Sequence, residues 1–123
     1  NQKIWEILRI YIGEDHKHMN NWFSGWNGYT AIRYNRYDKK TEMREHCDHI
    51  YSMFDGARKG IPVLSILGCL NDEYSGGDLV MWQDQKIELK AGQIMIFPSN
   101  FLYPHKITPV TKGIRFSYVS WAW

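Results

Sequence analysis

The sequence predicts a mainly β fold, a sandwich or closed barrel of short strands behind a helical N-terminal segment. Aromatic residues make up 15% of the 123 residues, with six Trp and eight Tyr, and such residues favour pleated surfaces. After Gly28, short apolar segments alternate with turn sequences such as Asp55-Gly56 and Gly76-Gly77. Because eight such segments follow at nearly regular spacing, a jelly roll is the natural architecture.

The N-terminal segment carries a helical pattern. Apolar side chains recur at spacings of three and four, which places them on one helix face: Ile4, Ile7, Leu8 and Tyr11. Gly13 then supplies a C-terminal stop, and residues 15–26 fit either a second short helix or an irregular aromatic segment. We therefore expect short N-terminal helices in a preface covering residues 1–28, within a single domain of residues 1–123.

Residues 29–123 are predicted to form the β core. Each predicted strand is rich in β-branched or aromatic residues and ends at a Gly, Pro, Asn or Asp turn. The predicted strands are Thr30–Tyr37, Thr41–His49, Pro62–Leu70, Asp78–Gln83, Lys86–Leu89, Ile94–Phe97, His105–Thr108 and Ile114–Trp121.

Composition excludes several classes of protein. Fifteen basic and thirteen acidic residues give a net charge of +2, too small to indicate a nucleic-acid partner. Cys47 and Cys69 form no CxxC pair, which argues against a disulfide scaffold or thiolate zinc site and favours a reducing compartment, the cytoplasm. No run of about 18 apolar residues occurs, so we expect no membrane span.

His46 and Asp48 form a His-x-Asp pair inside the predicted strand Thr41–His49. Residues i and i+2 of a strand point to the same face, about 6.5–7 Å apart. An imidazole and a carboxylate so placed can converge on one ion, and a third ligand would come from a strand distant in sequence. On this pair alone, a His and an Asp on a strand surface remain the simpler interpretation.

The C-terminal part of the chain favours a metal site over a surface His and Asp. Phe97-Pro98-Ser99, then His105, then the stretch from Pro109 to Arg115 (Pro-Val-Thr-Lys-Gly-Ile-Arg) closely resemble the iron(II)- and 2-oxoglutarate-dependent oxygenases of the prolyl 4-hydroxylase type. That family has a strand ending in Phe-Pro-Ser, a metal-binding His, and Pro-Val-Thr-x-Gly-x-Arg. Arg115 falls ten residues after His105, as the pattern requires.

Upstream landmarks agree in their order. Leu70-Asn71 followed by the segment from Tyr74 to Leu79 resembles the family's Leu-Asn and Gly-Gly turn, and Trp121 falls six residues after Arg115, where the family commonly has Trp. The resemblance covers the chain from about Ile32 to Trp121.

The resemblance implies a double-stranded β-helix (jelly roll) that binds iron(II) through His46, Asp48 and His105. Such a triad leaves three positions of an octahedral iron open for 2-oxoglutarate and O2. Arg115 would hold the distal carboxylate of 2-oxoglutarate, which its planar guanidinium can grip bidentately. The implied activity is hydroxylation of an unactivated C–H bond, coupled to decarboxylation of 2-oxoglutarate to succinate, with ascorbate as a candidate additional cofactor.

Other cosubstrate contacts are less firmly indicated. Ser117 lies on the same strand face as Arg115, and in several branches of the superfamily such a serine shares the distal carboxylate; otherwise it is a small polar residue inside the barrel. Arg33-Tyr34 resembles an Arg-Tyr of prolyl hydroxylases, so Tyr34 either lines the cosubstrate pocket or only packs. Cys69 replaces a Tyr that binds the distal carboxylate in oxygen-sensing animal members, which increases the expected importance of Ser117.

Substrate contacts are predicted at Trp121, Trp82 and Arg58. The two tryptophans could border the substrate channel or belong to the core, and Arg58 could replace an arginine that some members have where this chain has Pro62. By resemblance the leading substrate is a prolyl residue in a peptide or protein, and the alternative is another amino-acid side chain or a small molecule.

Three other classes of protein are alternatives to this family. A cupin would need His-x-His on a strand, whereas His16-Lys17-His18 lies in the helical preface; a nucleobase demethylase usually has a second arginine where this chain has Trp121. A non-catalytic metal-binding jelly-roll module is the third alternative.

Overall fold

The computed structural model describes residues 2–13, 28–48, 54–55 and 59–123. In these ranges the chain forms one helix and twelve strands: α1 (Gln2–Gly13), β1 (Arg33–Tyr37), β2 (Met43–His46), β3 (Phe54–Asp55), β4 (Lys59–Gly60), β5 (Leu64–Cys69), β6 (Tyr74–Gly76), β7 (Leu79–Met81), β8 (Gln85–Ile87), β9 (Ile94–Pro98), β10 (His105–Ile107), β11 (Val110–Gly113) and β12 (Arg115–Ala122). No helix in these ranges is long and apolar enough to cross a membrane.

Eight strands form two four-stranded antiparallel sheets. We call β1-β12-β5-β9 the main sheet and β2-β10-β7-β8 the minor sheet. Successive parts of the chain cross between them, since β9 lies in the main sheet, β10 in the minor sheet and β12 again in the main sheet. Two sheets that pack face to face with such crossovers form a jelly roll. The predicted mainly β, double-stranded β-helix fold is therefore confirmed.

Strand β5, in the middle of the main sheet, is buried on both faces. All six residues of β5, Leu64–Cys69, are buried, and alternate side chains point in opposite directions. Leu67 joins a core cluster with Leu79 and Met81 of the minor sheet, so it points toward that sheet. Leu64 and Ile66 belong to a second cluster on the other face.

Helix α1 covers that second face. Ile4 and Leu8 are buried in one cluster with Leu64, Ile66 and Ala122, which confirms the predicted apolar stripe. Burying one such aliphatic side chain contributes about 1.5–3 kcal/mol, so the helix is held by the sheet. The second predicted helix, within residues 15–26, lies outside the described residues.

All eight predicted strands are present, and four further strands were not predicted: β3, β4, β6 and β11. β6 pairs with β11 and β3 pairs with β4. β6 ends at Gly76, whose φ of 68° is left-handed, and this Gly-Gly sequence was interpreted only as a turn. β11 follows Pro109 and ends at Gly113. Because both residue types are typical of turns, the sequence did not indicate a strand there.

Candidate metal centre and anion pocket

Two histidines from neighbouring strands face each other at one end of the minor sheet. His46 ends β2, His105 begins β10, and the two residues are directly paired in the antiparallel register. Their ring centroids lie 4.4 Å apart. A pair so placed is fixed by the sheet register rather than by flexible loops.

Asp48 completes the group from a turn after β2. Its Oδ1 lies 3.4 Å from Nε2 of His46 and 3.8 Å from Nε2 of His105. One ligand atom from each of the three residues lies within 4.8 Å of the others. The structure therefore brings together the three predicted metal ligands, although β2 ends at His46, so that the predicted single strand carrying both His46 and Asp48 is wrong.

Backbone carbonyl groups orient both imidazoles. Nδ1 of His46 lies 2.9 Å from the carbonyl oxygen of Arg44, and Nδ1 of His105 lies 3.1 Å from that of Tyr103. When Nδ1 carries the proton and donates it to the carbonyl, the Nε2 lone pair faces the centre of the group. Both rings are thus prepared to bind a metal through Nε2.

The electrostatics favour the metal-binding protonation states of Asp48 and His105, whereas at His46 a proton competes with a metal. Burial would raise the pKa of Asp48, but hydrogen bonds from His46, Ser65 and Trp121 hold it below its ordinary value. Burial lowers the pKa of His105, whereas the hydrogen bond with Asp48 raises the pKa of His46. An ionised carboxylate and two imidazole nitrogens are a donor set that divalent transition metals prefer, so these residues fit iron(II).

Arg115 is a buried cation without a counter-ion. It begins β12, its side chain is 2% exposed, and it forms no ion pair with a carboxylate of the described residues. Nη1 donates a hydrogen bond of 3.0 Å to Oγ of Ser117, and the guanidinium lies 5.1 Å from the ring centre of Tyr37. Its Nε has no hydrogen-bond partner within the ranges that the structure describes.

A buried charge in this state is costly unless an anion pairs with it. A carboxylate could accept from the guanidinium in the bidentate manner. A cavity of about 370 Å³ opens beside Arg115 and is also lined by Tyr74, Gly77 and Leu79. Arg115, which lines this cavity while Ser117 holds its Nη1, therefore fits a small carboxylate ligand.

Tyr34 does not reach this pocket. Its side chain is 72% exposed, and in the register of β1 and β12 it pairs with Tyr118, whereas Tyr37 pairs with Arg115. Residues three apart on a strand point to opposite faces, so Tyr37 takes the inward place that the sequence motif had assigned to Tyr34.

Tyr74 also lies at the pocket and was not predicted. Its hydroxyl lies 3.6 Å from Sγ of Cys69, the position where oxygen-sensing relatives have Tyr. The Tyr74 hydroxyl therefore lies near the position of the Tyr that Cys69 replaces. This contact joins β5 and β6, and sequence spacing does not predict it.

The three predicted substrate residues have different locations. Trp121 lies at the metal centre, where its Nε1 donates to Oδ2 of Asp48 at 3.1 Å. Trp82 lies in the turn between β7 and β8, is 40% exposed, and donates from Nε1 to the carbonyl oxygen of Leu102 at 2.8 Å. Arg58 lies outside the described residues.

Curated relatives resemble this chain in sequence. A "PKHD-type hydroxylase" of Xylella fastidiosa is 33% identical over 99 residues, which cover 72% of this chain and 42% of the relative. Another from Shewanella frigidimarina is 33% identical over 95 residues, covering 72% and 41%. The chain thus spans about two fifths of the length of these relatives.

Solved structures agree on the fold. A Pseudomonas putida prolyl-4-hydroxylase superposes with a TM-score of 0.66 at 25% identity, over 96% of this chain and 60% of that one. A viral collagen prolyl hydroxylase from Paramecium bursaria Chlorella virus-1 gives 0.74 at 20% identity, over 98% and 70%. A sequence model of the family described as "2OG-Fe(II) oxygenase superfamily" matches residues 32–123. The chain therefore belongs to the 2OG-Fe(II) oxygenase superfamily.

Proposed function

We propose that this chain is the catalytic core of an iron(II)- and 2-oxoglutarate-dependent dioxygenase that hydroxylates an unactivated C–H bond. The observation that carries the proposal is the convergence of His46, Asp48 and His105 within one fold that also buries Arg115, whose guanidinium has no counter-ion in the described part of the chain. A metal triad without an anion pocket would fit a passive metal-binding module equally well. The two together match a metal that needs a carboxylate cosubstrate.

The roles of the residues follow from their positions. His46, Asp48 and His105 hold iron(II), which supplies the oxidising chemistry with 2-oxoglutarate and O2 when it is bound. Arg115 and Ser117 bind the distal carboxylate of 2-oxoglutarate, and the face of Tyr37 supports the guanidinium. The buried residues between the two sheets exclude water from this site.

We propose a prolyl residue of a peptide or protein as the substrate. Support comes from the prolyl hydroxylases among the similar structures; one of these, from Trichoplax adhaerens, is in complex with a peptide fragment of hypoxia inducible factor (TM-score 0.65, 19% identity). Exposed apolar side chains next to β10, namely Trp82, Phe101 and Leu102, offer a surface for an apolar segment of such a polypeptide. The alternative substrates are another amino-acid side chain and a small molecule. The same assay also tests whether ascorbate stimulates the reaction.

The test is an assay of the purified chain with iron(II), 2-oxoglutarate and O2, with and without ascorbate. Succinate is measured first without any other substrate and then with proline-containing peptides and their proline-free counterparts. Mass spectrometry of the peptides detects one added oxygen atom. Succinate formation that depends on iron and on His105 supports the oxygenase, and oxygen added only to proline peptides supports the substrate. Tight iron binding without any succinate would instead indicate a non-catalytic metal-binding module.

A further inference from the structure

The two carboxylate oxygens of Asp48 lie in different surroundings. Oδ1 faces Nε2 of both histidines, at 3.4 and 3.8 Å. Oδ2 accepts hydrogen bonds from Oγ of Ser65 at 2.6 Å and Nε1 of Trp121 at 3.1 Å. One oxygen is thus free to bind a metal, and the other is already occupied by protein donors.

The serine contact is part of a buried chain of two hydroxyl groups. Oγ of Ser65 also lies 2.7 Å from Oγ of Ser99. A carboxylate only accepts hydrogen bonds, so the proton of Ser65 points to Asp48, and Ser65 in turn accepts from Ser99. Ser65 is 0% exposed and Ser99 9% exposed, so water does not compete freely for these bonds.

Three separate parts of the chain meet in this network. Asp48 follows β2, Ser65 lies in β5, and Ser99 follows β9. Ser65 pairs in register with Trp121 of β12 on one side and with Phe97 of β9 on the other. The main sheet therefore fixes both donors to Oδ2, whereas Asp48 itself lies in a turn and has no strand register of its own.

We propose that Ser65 and Ser99, together with Trp121, are positioning residues that make Asp48 a ligand through Oδ1 alone. The proposal rests on the metal site of the proposed function. With Oδ2 held by two donors, the carboxylate has no second oxygen to offer, so a coordination position that chelation would fill stays open. An open position is what a bidentate 2-oxo acid requires.

The main test compares metal binding by four forms of the chain. Wild type, Ser65→Ala, Ser65→Thr and Ser120→Ala are titrated with Co²⁺ in place of iron, and affinity and the visible absorption of the bound Co²⁺ are recorded. Ser120 is a matched control because it is equally buried, lies in β12, and bonds to Thr30 rather than to Asp48. Far-ultraviolet circular dichroism and urea unfolding show whether each form is folded.

Loss of a group that orients a metal ligand typically weakens metal binding by about 10- to 100-fold. We expect Ser65→Ala to fall in this range and to show an altered Co²⁺ absorption, because Oδ2 becomes free to coordinate. Ser65→Thr keeps the hydroxyl group and should retain affinity and spectrum, as should Ser120→Ala. Equal affinity and spectrum for Ser65→Ala and Ser120→Ala would overturn the proposal.

Ser99→Ala provides a second variant in case Ser65→Ala does not fold. Since Ser99 acts through Ser65, Ser99→Ala should change the Co²⁺ spectrum in the same direction as Ser65→Ala, with a smaller loss of affinity. If Ser99→Ala leaves both spectrum and affinity unchanged, the chain of hydroxyl groups does not position Asp48. Failure of the proposed function would be distinct. In that case wild type would bind Co²⁺ with the serine dependence described and still form no succinate with iron.

Discussion

At the scale of single residues, Arg115 is the clearest example of a functional group that lowers stability. A guanidinium that is 2% exposed and lacks a counter-ion among the described residues lowers the free energy of unfolding. Replacing buried charged groups by apolar ones of similar volume is often neutral or stabilising. Such a residue is expected where a ligand, rather than the fold, supplies the counter-charge.

We predict that Arg115→Met leaves the free energy of unfolding unchanged or raises it by about 1 kcal/mol in the absence of ligand. The same change should weaken 2-oxoglutarate binding at least about 10-fold, since a charge-assisted hydrogen bond contributes about 1.5–3 kcal/mol, while Co²⁺ affinity is retained. Urea unfolding and calorimetric titration measure the three quantities. Arg36→Met is the control, because Arg36 is exposed and paired with Asp38 at 2.9 Å. A parallel loss of metal and 2-oxoglutarate affinity would show that Arg115 is not the anchor.

His46 should make metal binding depend on pH. Its hydrogen bond with Asp48 raises the pKa of the metal-free imidazole above its ordinary value, so near neutral pH a proton occupies Nε2 more often than in a free histidine. A metal must displace this proton. We therefore predict that Co²⁺ affinity increases from about pH 6 to about pH 8 and that binding releases protons, measurable by titration in buffers of different ionisation enthalpy. An affinity independent of pH over this range would contradict the proton competition.

At the scale of elements, local pattern and long-range contact had different predictive value. The apolar stripe of α1 followed from periodicity, eight strands followed from β-rich segments between turn sequences, and the ligands His46 and His105 followed from a family motif. The motif indicated Tyr34 as a candidate for the cosubstrate pocket, but it gives no strand register, and the register, which decides the face that a side chain occupies, pairs Tyr37 with Arg115. The contacts of Ser65 with Asp48 and Ser99 join residues 17 and 34 positions apart, which no local pattern discloses.

The β6–β11 pair has a testable requirement for glycine. Gly76 has a φ of 68°, and a Cβ there would meet the carbonyl oxygen of Pro109; Gly92 has a φ of 82°, and a Cβ there would meet no atom within 4 Å. Left-handed backbone costs a non-glycine residue about 1–2 kcal/mol. We predict that Gly92→Ala lowers the free energy of unfolding by about this amount and that Gly76→Ala lowers it further. Urea unfolding measures the free energy of unfolding of the two variants. Equal losses of this free energy would show that the space beside Gly76 is wide enough for a Cβ.

At the scale of the whole molecule, the main sheet separates two layers with different tasks. Its inner face carries Arg115, Ser117 and the donors to Asp48, and its outer face carries Leu64, Ile66 and Ala122 beneath α1. Strand β5 contributes to both, since Ser65 bonds to Asp48 while its neighbour Ile66 packs in the outer cluster. The outer layer can therefore be weakened without removing any group that faces the metal centre.

Leu8→Ala tests this separation of the two layers. Leu8 is 0% exposed and Ile10, on the same helix, is 48% exposed, so Ile10→Ala is a matched control. We predict that Leu8→Ala lowers the free energy of unfolding by about 2–5 kcal/mol, as for other buried leucines, whereas Ile10→Ala changes it by no more than about 0.5 kcal/mol. Co²⁺ affinity of the folded fraction should be the same for both variants, because Leu8 packs in the cluster on the outer face of the main sheet. If Leu8→Ala weakens Co²⁺ binding in proportion to its loss of stability, the helix also supports the placement of Ser65, and the two layers act as one.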